Sequence, residues 1–256
     1  MKSIEKIKNN LDEDGFAFLP GILSNSKSLR KVTSDIKKIV MLRARNIGKE
    51  NLFKEDKDLN SIILKLNKIN EKNISFINDV LNSSPSLVNL FNEPKLVKII
   101  NCLINSKPSY LCINNHKFRI QVPGRDEISN LPWHQDSHYN TMSEKNTSVV
   151  AWISLSNINT KQGPVILKSG SHKLGKLERI VKCKENGNKI YTVSEKIIKS
   201  KKFKEVRFSS KIGDVILIDM NLVHASGANK SKNLSKLSAQ ARYHQAGSLN
   251  FLTKYN

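Results

Sequence analysis

Cysteine is scarce in this chain. Its three copies, Cys102, Cys112 and Cys183, are odd in number, and none forms a C-x-x-C pair. That spacing argues against a disulfide framework and a zinc knuckle, so a reducing, cytoplasmic setting is expected. Long apolar runs are missing as well. No stretch approaches the roughly 20 residues that span a bilayer, and no membrane span is expected. The opening MKSIEKIKNNLDEDG has no continuous apolar core, so no secretory leader is expected either. Arginine is the third shortage. Only 8 of the 43 basic residues are arginine, although the formal charge is +21. A dedicated nucleic-acid surface would use more arginine for bidentate phosphate contacts. The lysines are instead spread along the chain. Even the densest group, Lys196 to Lys204, is interleaved with Ile197, Ile198 and Phe203. A solvated basic surface is therefore expected, and a nucleic-acid partner is not. Asn and Ile are abundant too, a bias that an A+T-rich genome imposes without selection on function.

What is present falls into two halves. A chain of 256 residues can bury a sizeable core. Ile4, Ile7 and Leu11 have helical spacing, and Phe16 to Gly21 reads as a short strand ending in a turn. Ser26 predicts a cap for a helix from about Lys27 to Arg45, with Leu29, Val32, Ile36, Ile39 and Val40 on one face. The charged, Asn-rich stretch 50–75 carries an apolar face at Ile62, Ile63, Leu66 and Ile69. Pro85 and Pro94 mark two further helix starts. From Ser109 the period changes to two. Strands are expected at 110–113, 117–122, 148–155, 165–167, 206–208, 214–219 and 238–244, punctuated by Gly and Pro. The expected architecture is mainly β with flanking helices. One domain spans 1–256, with a helical portion to about 108 and a barrel or sandwich from about 109.

The stretch Trp133 to Asn140, WHQDSHYN, holds two of the six histidines and an aspartate. In a strand, His134 and Asp136 would face one pocket and Gln135 the other way. An imidazole and a carboxylate suit divalent iron. On the pattern alone a polar turn near a strand end is the better reading. His224 follows the apolar strand Val215–Met220 directly, where a side chain can sit at a barrel mouth, and is the natural third ligand. His116 is expected in a solvated turn, and His172 and His244 in structural roles. His138, Tyr139, Asn221 and Arg125 are pocket-facing candidates, although Arg125, in a loop before the metal residues, reads better as a solvated loop arginine.

These pieces resemble the phytanoyl-CoA dioxygenase family of iron(II)- and 2-oxoglutarate-dependent oxygenases. The resemblance runs from Asp14-Gly15-Phe16 through Trp133-His134-Gln135-Asp136 and Val149 to Leu155. It continues through Asn159 to Pro164, Ser169-Gly170-Ser171-His172-Lys173, Gly213-Asp214 and His224-Ala225-Ser226-Gly227. It implies a double-stranded β-helix, the cupin-like jelly roll, with helices packed outside. It also implies His134, Asp136 and His224 as iron(II) ligands, with 2-oxoglutarate and O2 as co-reactants and a small molecule hydroxylated. Related halogenases have a small residue at the carboxylate position, so Asp136 argues for hydroxylation. The family's arginine for the far carboxylate of 2-oxoglutarate stands about eleven residues after the distal histidine. Counting back from Arg242-Tyr243 puts Lys236 there, with Arg242 as the alternative. Ser226, Gln121 and Trp152 complete the implied cosubstrate pocket. The rival readings are a metal-binding cupin-like protein without oxygenase activity and, from charge alone, a basic nucleic-acid-binding protein.

Overall fold

The computed structural model describes residues 4–52, 58–104, 111–124, 130–139, 147–183, 187 and 189–246. Helix α1 (Ile4–Asp14) leads into strand β1 (Phe16–Leu19). Helix α2 (Lys27–Asn46) starts where the Ser26 hydroxyl accepts the Leu29 N–H at 2.9 Å, and it buries Leu29, Val32, Ile36 and Val40. Asp58 caps α3 (Leu59–Ile69), which buries Ile62, Ile63 and Leu66 but leaves Ile69 exposed. Proline occupies the first turn of α5 (Pro85–Phe91) and α6 (Pro94–Leu103), where its fixed φ suits a helix start. Between them and α3 lies α4 (Lys72–Asn82), which the sequence reading did not separate from the charged stretch before it. Its buried Ile74, Ile77 and Leu81 recur at helical spacing and face the sheet. Among the described residues no helix is long and apolar enough to cross a membrane.

The remaining strands are β2 (Leu111–Gln121), β3 (Ser148–Ser154), β4 (Val165–Lys168), β5 (Ile180–Cys183), β6 (Lys189–Thr192), β7 (Glu205–Arg207), β8 (Val215–Ile218), β9 (His224–Ser226) and β10 (Lys236–Gln245), with the short helix α7 (Glu195–Ile198) between β6 and β7. One antiparallel sheet has the order β1-β8-β3-β10-β2, and a second has β7-β4-β9. Alternation along the strands sorts the large sheet into two faces. Val149, Ala151, Ile153, Val215 and Leu217 point outward and share a core with the helices. Val150, Trp152, Ile216 and Ile218 point inward and meet Val165 and Leu167 of the second sheet. Both faces are buried, so β3 and β8 read as nearly continuous apolar runs. The architecture is the double-stranded β-helix, or jelly roll, with helices packed on one side. The boundary near 108 falls outside the described residues, but β1 belongs to the large sheet although it precedes most of the helices.

The expected strands 110–113 and 117–122 are one strand, described from Leu111, with a bulge. The register passes from Lys117↔Gln240 to Asn114↔Arg242, so β2 carries an extra residue there. Asn115 absorbs it at φ 45, a left-handed conformation that asparagine tolerates better than most residues. His116 is consequently not in a solvated turn. It is half-buried beside Phe91, with its Nε2 3.2 Å from the Asn82 carbonyl. The hairpin β5–β6 and the short helix α7 were not anticipated.

Candidate metal centre and its cavity

His134 and Asp136 do not lie together on a strand. His134 forms an isolated antiparallel bridge with His224: each backbone N–H donates to the other's carbonyl at 2.9 Å. Asp136 then opens a 3₁₀ turn, Asp136–His138, pinned by Ser137 N–H donating to Met220 O at 3.0 Å. The two side chains still converge. Gln135 points away, as expected, donating to Gly175 O and Asn221 O and accepting from Leu177 N–H. One potential ligand atom each from His134, Asp136 and His224 lies within 4.8 Å of the others, and all three residues are buried.

Tautomers follow from the partners. His134 Nδ1 lies 2.7 Å from Pro132 O, and His224 Nδ1 lies 2.9 Å from Leu222 O. A carbonyl only accepts, so each Nδ1 carries a proton and each Nε2 is the atom left to meet a metal. His134 Nε2 is buried with no hydrogen-bond partner, 3.7 Å from Asp136 Oδ1. Burial, aided by His134, lowers the His224 pKa to about 4, so the ring is neutral at neutral pH. Burial opposes ionisation of Asp136, but the Arg242 guanidinium overrides it and holds the carboxyl well below the usual range. Two imidazoles, one carboxylate and an orphaned buried nitrogen fit a divalent metal.

Arg242 is placed differently from the sequence expectation. It does not line the cavity beside the metal residues. Its Nε donates to Asp136 Oδ2 at 3.2 Å, its Nη2 to Oδ1 at 2.8 Å, and its Nη1 to the bulged Asn115 carbonyl at 2.7 Å. The fork grips both carboxylate oxygens. The bulge lies opposite this end of β10, and its Asn115 carbonyl receives the third guanidinium nitrogen.

A cavity of about 390 Å³ adjoins His134 and His224. Lys236, Ser226, Gln121 and Trp152 all line it. The register explains why. Lys236, Ser238 and Gln240 stand opposite Gln121, Arg119 and Lys117, so one face of the β2–β10 ladder turns these side chains into the cavity together. Lys117 and Arg119 escaped the sequence reading. Counting back from Gln121 in steps of two would have found them. Lys236 Nζ donates to Gly163 O, Gln121 Nε2 donates to Asn130 Oδ1 and to Gly227 O, and Ser226 Oγ accepts Leu131 N–H.

The other pocket candidates go elsewhere. His138 turns its Nε2 to Leu177 O at 3.1 Å, away from the cavity. Tyr139 stands edge-on to the His134 ring at 5.6 Å, and its hydroxyl accepts Tyr191 N–H. Asn221 lines a separate cavity with His172 and Asp219. Arg125 lies outside the described residues. His172 contacts Asp12 O, and His244 is fully buried against Asn114, both packing rather than lining the site.

Two glycines let the walls approach. A Cβ on Gly163 (φ +69) would lie 2.3 Å from Gly227 O, and one on Gly227 2.4 Å from Pro164 O. Gly163→Ala is expected to cost roughly 2–5 kcal/mol, from left-handed strain and overpacking together. It should also displace the carbonyl that receives Lys236. An unchanged urea midpoint would refute the close approach.

The comparisons with known proteins agree with this geometry. The phytanoyl-CoA dioxygenase (PhyH) family model matches residues 11–237. Peroxisomal phytanoyl-CoA dioxygenase of Mus musculus is 23% identical over 237 residues, covering 88% of this chain and 64% of that protein. The Bos taurus protein is 23% identical over 182 residues, 65% of this chain and 48% of its own. The chain thus spans less than two thirds of these relatives. Among solved structures, the epimerase SnoN in complex with Fe3+, alpha ketoglutarate and nogalamycin RO superposes with a TM-score of 0.64 at 16% identity, covering 95% of this chain and 84% of its own. EctD from S. alaskensis with 2-oxoglutarate and 5-hydroxyectoine gives 0.61 at 18%, covering 96% and 76%. On the family match, which takes in His134, Asp136 and His224, the chain belongs to the phytanoyl-CoA dioxygenase family.

Proposed function

We propose that this protein is a non-haem iron(II)- and 2-oxoglutarate-dependent oxygenase that hydroxylates a small molecule in a reducing, cytoplasmic setting. The observation that carries the reading is the orphaned, buried Nε2 of His134 beside His224 and Asp136, at the edge of a cavity that also holds a buried lysine. Iron(II), when bound by these three side chains, supplies activation of dioxygen coupled to decarboxylation of 2-oxoglutarate to succinate, and thereby oxidation of a substrate C–H bond.

The chain's own residues do the rest. Pro132 O and Leu222 O hold the two imidazoles through Nδ1–H, leaving both Nε2 atoms to meet the metal. Arg242 fixes the plane of the Asp136 carboxylate and keeps it ionised. Lys236 neutralises the far carboxylate of 2-oxoglutarate, exchanging part of its contact with Gly163 O. The Ser226 hydroxyl, which accepts from Leu131 N–H, has its own proton to donate to the same carboxylate. Trp152 and Val165 wall the cavity and exclude water. Asp136 occupies the place where related halogenases leave room for halide, which supports hydroxylation as the outcome.

The direct test is iron-dependent release of succinate from 2-oxoglutarate, with a substrate product that gains one oxygen atom. Its absence from iron-loaded protein would favour a metal-binding protein without oxygenase activity. Lys236→Ala is expected to raise the 2-oxoglutarate KM by roughly 10- to 100-fold, the loss of one charge-assisted contact. Lys236→Arg should recover part of it. A KM unmoved by Lys236→Ala at saturating iron would place the anchor elsewhere.

A further inference from the structure

We propose that Asn60, in the first turn of α3, is a positioning residue for the cosubstrate: it clamps the turn before β10 and so sets where Lys236 enters the cavity. This rests on the oxygenase reading above, in which Lys236 receives the far carboxylate of 2-oxoglutarate, and it deepens that reading at the same site.

Lys236 is the first residue of β10, so the turn before it places its backbone as much as the sheet does. A helix outside the jelly roll grips that turn. Asn60 Oδ1 accepts both the N–H and the hydroxyl of Ser235, each at 2.7 Å, and Asn60 Nδ2 donates to Asn233 O at 2.8 Å. One side-chain amide thus uses its acceptor twice and its donor once on residues 233–235. The helix start aims it. Asp58 caps α3 by accepting the N–H groups of Asn60 and Ser61 at 3.2 Å each, which fixes the backbone from which the amide projects.

The other side of the turn is held by the cavity wall. Gln162 Nε2 donates to Ser235 O at 3.0 Å, and the next residue, Gly163, offers the carbonyl that Lys236 Nζ reaches. Ser235 is therefore buried and held at its N–H, its carbonyl and its hydroxyl. Asn60 and Gln162 together fix the residue before Lys236 against the wall that Lys236 touches. A lysine anchor needs this more than an arginine does. A guanidinium fork imposes its own geometry on a carboxylate, whereas an ammonium on a flexible stem is a point charge, and its direction comes from where the backbone starts. A displaced turn moves Nζ, and a small misplacement of a binding group is costly. The metal ligands are oriented by other contacts, through Pro132 O, Leu222 O and Arg242.

The test is calorimetric binding of two probes to the full chain, loaded with iron(II) and kept without oxygen. One is 2-oxoglutarate. The other is pyruvate, which keeps the 2-keto acid and lacks the far carboxylate, so the ratio of the two affinities isolates that group. Lys236→Ala is expected to lower the ratio by roughly 10- to 100-fold and Asn60→Ala by about 3- to 10-fold. Asn60→Ala should leave the affinities for pyruvate and for iron(II) as they are. Asn60→Asp keeps the acceptor for Ser235 and loses the donor to Asn233, so it should recover part of the ratio. In a chain that already carries Lys236→Ala, Asn60→Ala should have no further effect on the ratio. Ser26→Ala removes the cap of α2, lowers the urea midpoint away from this turn, and should leave the ratio alone. A ratio that falls with Lys236→Ala and not with Asn60→Ala overturns the proposal, as does an equal loss of both acids in Asn60→Ala. A ratio unmoved by Lys236→Ala overturns the cosubstrate reading itself, so the two failures are told apart.

Discussion

His224→Ala is expected to remove iron(II) binding and bring 2-oxoglutarate turnover to background. Among the described residues three donors converge here, and His138, His172 and His244 are directed to other partners. Residues that merely orient a metal ligand are worth 10- to 100-fold in metal affinity, so losing a ligand should cost roughly 100-fold or more. His134→Ala should behave alike. His224 is the cleaner test because its side chain holds the surrounding fold through Nδ1 to Leu222 O, so the fold loses little with it. Asp136 is less clean. Asp136→Ala leaves Arg242 charged, buried and without its partner, and its effect mixes metal loss with destabilisation. Asp136→Gly should retain some iron through the two imidazoles yet lose hydroxylation. Iron titration and succinate release are the measurements. Full activity of iron-loaded His224→Ala would sink the ligand assignment.

Arg242→Ala is expected to cost roughly 3–5 kcal/mol of stability, the scale for stranding one member of a buried ion pair. It should also weaken iron(II) binding by about 10- to 100-fold, as loss of a residue that orients a metal ligand does. Both effects arise from one contact. Two guanidinium nitrogens meet both oxygens of a carboxylate that is 1% exposed. Arg242→Lys should fall between parent and alanine variant, because an ammonium retains the charge and loses the fork. A urea melt and an iron titration read the two quantities. The contrast with Lys236→Ala is the deciding one. Lys236 should move the 2-oxoglutarate KM, and Arg242 should move iron affinity and the melt. If Arg242→Ala raised the KM for 2-oxoglutarate and left iron affinity and stability alone, its grip on Asp136 would be incidental.

Much of the site is legible in the chain because strand periodicity is local. Lys236, Ser238 and Gln240 share a parity, and that parity does turn them into one cavity. Val215–Met220 runs apolar because β8 is covered on both faces, which also makes the histidine after it a residue at the sheet's end. Helix starts at Ser26, Pro85 and Pro94 are legible for the same local reason. The pairing of His134 with Asp136 was anticipated on a mistaken ground. The two converge through a β-bridge followed by a 3₁₀ turn, both held by backbone contacts to residues more than 80 positions away.

Three features depended on those distant contacts. The Asn114-Asn115 pair reads as a turn in the run Cys112 to Lys117, and it becomes a bulge within one strand only through the register with β10. Six positions of β10 separate Lys236, which reaches Gly163 O on the cavity wall, from Arg242, which reaches Asp136. The clustering of Lys117, Arg119 and Lys236 required the β2–β10 pairing, which joins residues more than 100 positions apart. The sequence by itself determined which residue types could ligate a metal, which faces of the strands are apolar, and where helices begin, because spacing along one element encodes these. Only the tertiary structure decided which carboxylate each cation meets, because an ion pair is chosen by distance in space, and the strand register sets that distance.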